Sequence, residues 1–299
     1  MKGSTRTVLD LLLVVAFVGA FCLAALTGGI TYIPDDVMEQ VRNVLPYVIV
    51  PATLVFSIGL PLIHAIYTMG WQPAVKFFVV GYIVAWVFED LSVRTGIVFG
   101  FYWFPEMMGP KIDQIPMVIP MFWLMCFYMS YYVSNLLYHG SPLPKDYSVR
   151  SIVESAFIGG LILTTLDLST DPFAEANGFW IWVDQGPYFG VPFHNFIGWF
   201  ATGFITYIIH GFMLRHDKKK YGMELKTNRQ KGWTIAPVIE YLLFCLVFMV
   251  MNVHEFLAMT TFFAMGIPVS IALLRWFQWY YRERELPSNR MADKQLASE

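Results

Sequence analysis

Three acidic residues interrupt apolar sequence in ways that could serve chemistry: Glu89 in VFEDLSVRTG, and Asp167 and Asp171 in LDLSTDP. Charge inside a membrane segment costs about 2.5–3.5 kcal/mol on insertion scales, so such residues are paired or functional. Asp90 and Arg94 stand four apart on one helical face and read as a structural ion pair. Glu89 points about 100° away from Asp90 around a helix and has no local partner. An acid shut off from water favours its neutral form, which would let it keep a proton to donate. Asp167 and Asp171 also have i,i+4 spacing, so one turn could present both to one cavity. Pro172 disfavours helical geometry at Asp171, which is expected at a helix end, as a turn former or as a second acid. Glu175 and Asp184 read as solvated loop charges.

Aromatic residues crowd around these acids: Tyr102, Trp103 and Phe104 after the first motif, Trp180 and Trp182 after the second. They could form an interfacial belt or present ring faces to a cation. Asn195, at the start of a later apolar run, could cap a helix or orient a ligand.

The elements that position these residues are membrane helices. The chain has 299 residues, 57% hydrophobic and 14% charged, with a mean hydropathy of +0.53. A soluble domain is nearer a quarter charged. Eight apolar stretches of bilayer-crossing length occur, roughly 7–29, 44–68, 74–99, 115–138, 149–170, 193–214, 234–252 and 256–281. Only NVHEF separates the last two, so seven spans are the rival count. With eight spans and both termini cytoplasmic, every Lys and Arg except Arg42, Arg94 and Lys111 falls inside, as the positive-inside rule requires. The expectation is an all-α polytopic bundle, one domain over 1–286 with a polar tail over 287–299, in the cell membrane. The acidic motifs then converge toward the extracytoplasmic face.

Several function classes are disfavoured. The basic runs border apolar segments, which suits cytoplasmic loops better than nucleic-acid binding. Cys22, Cys126 and Cys245 form no CxxC pair. The six histidines make no HxxxH or HxxHH cluster, as a di-iron oxygenase would need. The last two spans lack a lysine for a retinal Schiff base. No metal and no cofactor are expected.

The motifs resemble the CruF-type carotenoid hydratase family. The shared elements are Glu89, Val93–Gly96, Phe99–Tyr102, Gly109–Pro110, Pro116–Trp123, Asp167, Asp171–Pro172, Trp180, Trp182, Gly186–Pro192 and Asn195–Trp199. Leu166 stands where that family has tryptophan and Ser92 where it often has glycine. The resemblance implies an integral membrane enzyme that adds water to the terminal C=C of an acyclic or monocyclic carotenoid, giving a tertiary alcohol.

The residues suit that reaction, which needs a proton donor, a positioned water and shelter for a tertiary carbocation. Asp167 is the expected acid, with Glu89 or Asp171 as the base that activates water. Tyr102, Trp180 and Trp182 would line the cation site and Asn195 would orient water. Trp199 and Arg94 complete the expected substrate contacts. Expected partners are the carotenoid, the bilayer and neighbouring carotenoid-pathway enzymes. The alternative is a transporter or a lipid- or pigment-binding protein, since intramembrane carboxylates also mark transport pathways. The absence of an internal repeat, and acids gathered at one face, weigh against it. An isomerase using the same acids is a third reading.

Overall fold

A helix with apolar residues on every side must sit inside a bundle, and α3 (Val118–His139) is such a helix. Nearly every residue from Val118 to Leu136 is buried. The computed structural model describes residues 54–221, 225, 227–252 and 254–285. A π-helical turn (Leu54–Gly59) leads into α1 (Leu60–Met69), followed by α2 (Trp71–Thr95). Short strands β1 (Tyr102–Trp103), β2 (Lys111–Ile112) and β3 (Ile115–Pro116) precede α3. After α3 come α4 (Val149–Ala176), β4 (Ile181–Trp182) and α5 (Phe193–Tyr221). The chain continues with α6 (Asn228–Trp233), α7 (Ala236–Met251), α8 (Glu255–Thr261), a second π turn (Phe262–Gly266) and α9 (Ile267–Glu285).

Helices α2, α4, α7 and α9 pack around α3, and the most extensive pairing joins α4 to α5. Glycines make that pairing close: a Cβ on Gly160 would lie 2.9 Å from the Phe200 carbonyl oxygen, and one on Gly203 would lie 3.3 Å from the Gly160 Cα. Small residues let helix backbones approach in this way within membranes.

The outward faces are apolar. Val75, Val79, Ile83, Val87 and Leu91 form an exposed stripe along α2, and Val149, Val153, Phe157 and Leu161 form one along α4. Soluble monomers rarely expose contiguous apolar stripes of this kind. Four described stretches, Val149–Ala176, Phe193–Asp217, Asn228–Met251 and Glu255–Arg284, are long and apolar enough to cross a bilayer. The protein is a mostly helical membrane protein. The expected 7–29 span, the start of the 44–68 span and the polar tail lie outside the described residues. Helix α7 ends at Met251 with Asn252 as its C-cap, and α8 begins at Glu255.

One expectation is corrected. Helix α4 does not end at Asp171 but runs through Pro172 to Ala176. Proline removes the N–H that would bond the carbonyl four residues earlier. Here the Tyr188 hydroxyl donates to that Leu168 carbonyl at 3.0 Å, replacing the lost bond. Glu175 consequently belongs to the last turn of α4. It is half-buried and takes a 3.4 Å bond from Gln185 Nε2, instead of being a loop charge. Asp184 is exposed.

Candidate active site

The ends of four helices meet at one end of the bundle: the C-termini of α2 and α4 and the N-termini of α3 and α5. Each contributes to one cavity of about 360 Å³ including its opening. Glu89 comes from α2, Trp123 with Ile119 and Phe122 from α3, Asp171 from α4, and Asn195 and Trp199 from α5. Phe99, Tyr102, Phe104, Trp180 and Trp182 close it from the connections.

Local sequence explains how these connections fold. Helix α2 ends at Gly96, whose φ of +71° favours glycine and whose N–H returns to the Ser92 carbonyl at 2.7 Å. The buried Ser92 hydroxyl donates to the Gly100 carbonyl at 2.9 Å and accepts the Phe99 N–H at 2.7 Å. That serine therefore pins the turn before Tyr102. Strands β1 and β4 pair antiparallel, Tyr102 opposite Trp182 and Trp103 opposite Ile181. Trp182 Nε1 donates to the Phe99 carbonyl at 2.9 Å. The ribbon thus turns Tyr102 and Trp182 inward while Trp103 stays exposed, consistent with an interfacial position for that ring alone. The Gly186–Pro192 loop, bridged between Gly186 and Gly190, carries Tyr188 to α4.

Glu89 is buried and held at both oxygens: Trp123 Nε1 donates to Oε1 at 2.7 Å, and the Tyr102 hydroxyl donates to Oε2. Asp167 and Asp171 are joined by one amide. Asn195 Nδ2 donates to Asp167 Oδ2 at 2.9 Å and to Asp171 Oδ2 at 2.6 Å. Oδ1 of each aspartate has no hydrogen-bond partner among the described residues, and the shared Asn195 amide holds the two carboxyls side by side. Trp199 also contacts Asp171.

The rings form a continuous wall. Trp123 lies 4.0 Å from Trp199 between centroids and 5.8 Å from Phe99, nearly parallel to the latter. Tyr102 lies 6.0 Å from Trp182 and 5.2 Å from Phe104, which in turn lies 6.4 Å from Trp180.

The structure therefore brings together Glu89, Tyr102, Asp171, Trp180, Trp182, Asn195 and Trp199. Asp167 is fully buried one helical turn behind the wall, reaching the cavity through Asn195 and Asp171. Arg94 is not at the cavity, contrary to expectation. It is half-exposed and paired with Asp90 at 2.9 Å and with Asp113, because the i,i+4 partner on its own face holds it outward. Trp123, the donor to Glu89, was missed as a site residue although it ends the shared Pro116–Trp123 element, since its bond to Glu89, 34 positions away, forms only once α2 packs on α3. Among the described residues, no group of three or more His, Cys, Asp or Glu could hold a metal ion.

Comparison with known proteins gives the family. The family described as carotenoid biosynthesis protein matches residues 48–273. Bisanhydrobacterioruberin hydratase of Haloarcula japonica is 26% identical over 196 residues, which is 65% of this chain and 61% of that relative's length. No solved structure matches. The family match covers most of the chain and includes every residue of the cavity, and this protein belongs to the carotenoid biosynthesis family whose CruF-type hydratases its motifs resemble.

Proposed function

We propose that this protein is a hydratase that adds water to the terminal C=C of an acyclic or monocyclic carotenoid, giving a tertiary alcohol. The observation that carries this reading is the pairing of a two-carboxyl unit with a separate carboxyl across one aromatic-walled cavity. The cavity lies at the ends of four helices and is walled by aromatic rings, which suits an apolar end group and leaves the polyene outside among lipid or apolar helix faces.

Asp171, which faces the cavity, takes the donor role expected of Asp167, and Asp167 is the buried partner that shares its proton. The proton passes from Asp171 to the CH carbon of the terminal double bond. Positive charge then rests on the carbon that bears the two methyl groups. The faces of Trp123, Trp182 and Trp199 stabilise it, by about 2 kcal/mol or more for a desolvated cation–π contact. Water adds its oxygen to that carbon while one of its protons passes to Glu89, held in place by Trp123 and Tyr102. Return of that proton to the aspartate pair restores the enzyme, and only water is consumed. Asn195 fixes the two aspartates and so sets the direction of proton delivery.

The basic-residue distribution supports eight spans with both termini cytoplasmic, in the cell membrane, which sets the cavity toward the extracytoplasmic face. Expression in a carotenoid-producing bacterium, with chromatography of the pigments, tests the activity. New, more polar pigments are expected, and an unchanged profile across acyclic and monocyclic carotenoids would sink the hydratase reading.

A further inference from the structure

At the other end of α3, α4 and α5 lies a second cavity, of about 370 Å³ including its opening. Tyr131, Ser134 and Asn135 of α3 and Ser155 of α4 line it, with Asp146 and Tyr147 from the α3–α4 connection. Asn135 and Tyr131 are 2% and 6% exposed, yet the Asn135 amide nitrogen and the Tyr131 hydroxyl have no hydrogen-bond partner. Four positions apart on α3, the two side chains share one helical face. Buried polar groups are nearly always satisfied, so orphans that line a cavity mark a place for something to bind.

The lining restricts what that could be. No lysine or arginine lines the cavity. Its one charged residue is Asp146, exposed at the rim, where the Ser148 hydroxyl and N–H hold its carboxyl below the usual range. An anionic headgroup would meet that charge with no cation to balance it. An ammonium ion would leave the Asn135 donor unmet. A neutral hydroxyl satisfies both orphans, since its oxygen accepts from Asn135 and its hydrogen is donated to the Tyr131 oxygen.

The helical rise from Trp123 to Asn135 along α3 is about 18 Å, and from Ser155 to Asp171 along α4 about 24 Å. These lengths are comparable with the hydrocarbon core, about 30 Å thick, which an extended carotenoid crosses. We propose that this second cavity binds a neutral hydroxyl at the far end of an extended lipid-soluble molecule, namely a carotenoid already hydroxylated at the end remote from the carboxyl cavity. The proposal rests on the carotenoid reading but not on the hydration step.

The test uses the full chain in phosphatidylcholine nanodiscs, titrated with a monohydroxylated acyclic carotenoid and with its hydrocarbon parent, followed by tryptophan quenching. The wild type should bind the alcohol about tenfold more tightly, the size of one or two net hydrogen bonds. Asn135→Leu and Tyr131→Phe should each bring the two affinities within about twofold, and Tyr131→Phe, which keeps the ring, decides the matter if Asn135→Leu does not fold. A third titration, with monoacylglycerol, identifies the source of the hydroxyl. Binding of that lipid that depends on Asn135, without discrimination between the carotenoids, would keep the hydroxyl site but assign it to membrane lipid. Equal affinities in the wild type without such lipid binding, or discrimination that survives both substitutions, would overturn the proposal. Because binding is read directly, a failure of hydration leaves this result unaffected.

Discussion

Removing the Tyr188 hydroxyl should destabilise the turn that carries both aspartates, and the size of the effect should depend on Pro172. In the native chain Pro172 offers no N–H to the Leu168 carbonyl, and Tyr188 supplies the donor at 3.0 Å. Tyr188→Phe leaves that carbonyl without a partner. An unsatisfied buried acceptor costs about 1–3 kcal/mol, and this site is only partly buried, so about 1–2 kcal/mol is expected. For a chain of this length the unfolding entropy is about 0.6 kcal/mol/K, which makes the loss about 2–3 °C in Tm. Pro172→Ala restores an N–H that can bond Leu168 within the helix. In that background Tyr188→Phe should cost at least about 1 kcal/mol less, the coupling that a double-mutant cycle isolates. Thermal unfolding of the four purified proteins in one detergent measures it. Equal costs in both backgrounds would refute the idea that Tyr188 stands in for the missing helical bond.

Three further substitutions probe the site and its frame. Trp123→Phe keeps a ring against Trp199 but removes the donor to Glu89; initial rates of pigment conversion should fall about 10–100-fold, and an unchanged rate would deny Glu89 its part. Arg94→Gln breaks only the exposed contacts to Asp90 and Asp113, so conversion should stay within about twofold of wild type; a large loss would place Arg94 back at the substrate. Gly160→Val would set a methyl-bearing carbon 2.9 Å from the Phe200 carbonyl oxygen, a backbone atom that cannot give way without parting α4 from α5. Folded yield by size-exclusion chromatography should drop sharply, as overpacking of about 1–3 kcal/mol or more implies.

Much of this arrangement was legible in the sequence because its causes are local. Bilayer thickness fixes helix length, so α4 and α5 appear as apolar runs. The i,i+4 rule joins Asp90 to Arg94 and sets Asp167 beside Asp171 without reference to the rest of the chain. Glu89 is legible as an acid lacking a local partner, but its partners Tyr102 and Trp123 lie 13 and 34 positions away and are visible only once α2 packs on α3. Asp171 misled for a related reason. Pro172 signals a helix end, and the Tyr188 hydroxyl, 16 residues on, bonds the Leu168 carbonyl that the proline leaves free. Ser92 looked like a mere departure from glycine, whereas its hydroxyl ties residues 99 and 100 to α2.

If the carboxyls of this cavity drive addition of water to an alkene, the oxygen of the product comes from water and depends on Asp171. Membranes that contain the protein, given an acyclic carotenoid in ¹⁸O-labelled water, test it by mass spectrometry of the pigments. A tertiary alcohol that carries one ¹⁸O is expected with the wild type, and none with Asp171→Asn at equal protein level. Unlabelled product, or labelled alcohol formed by Asp171→Asn at the wild-type rate, would contradict it.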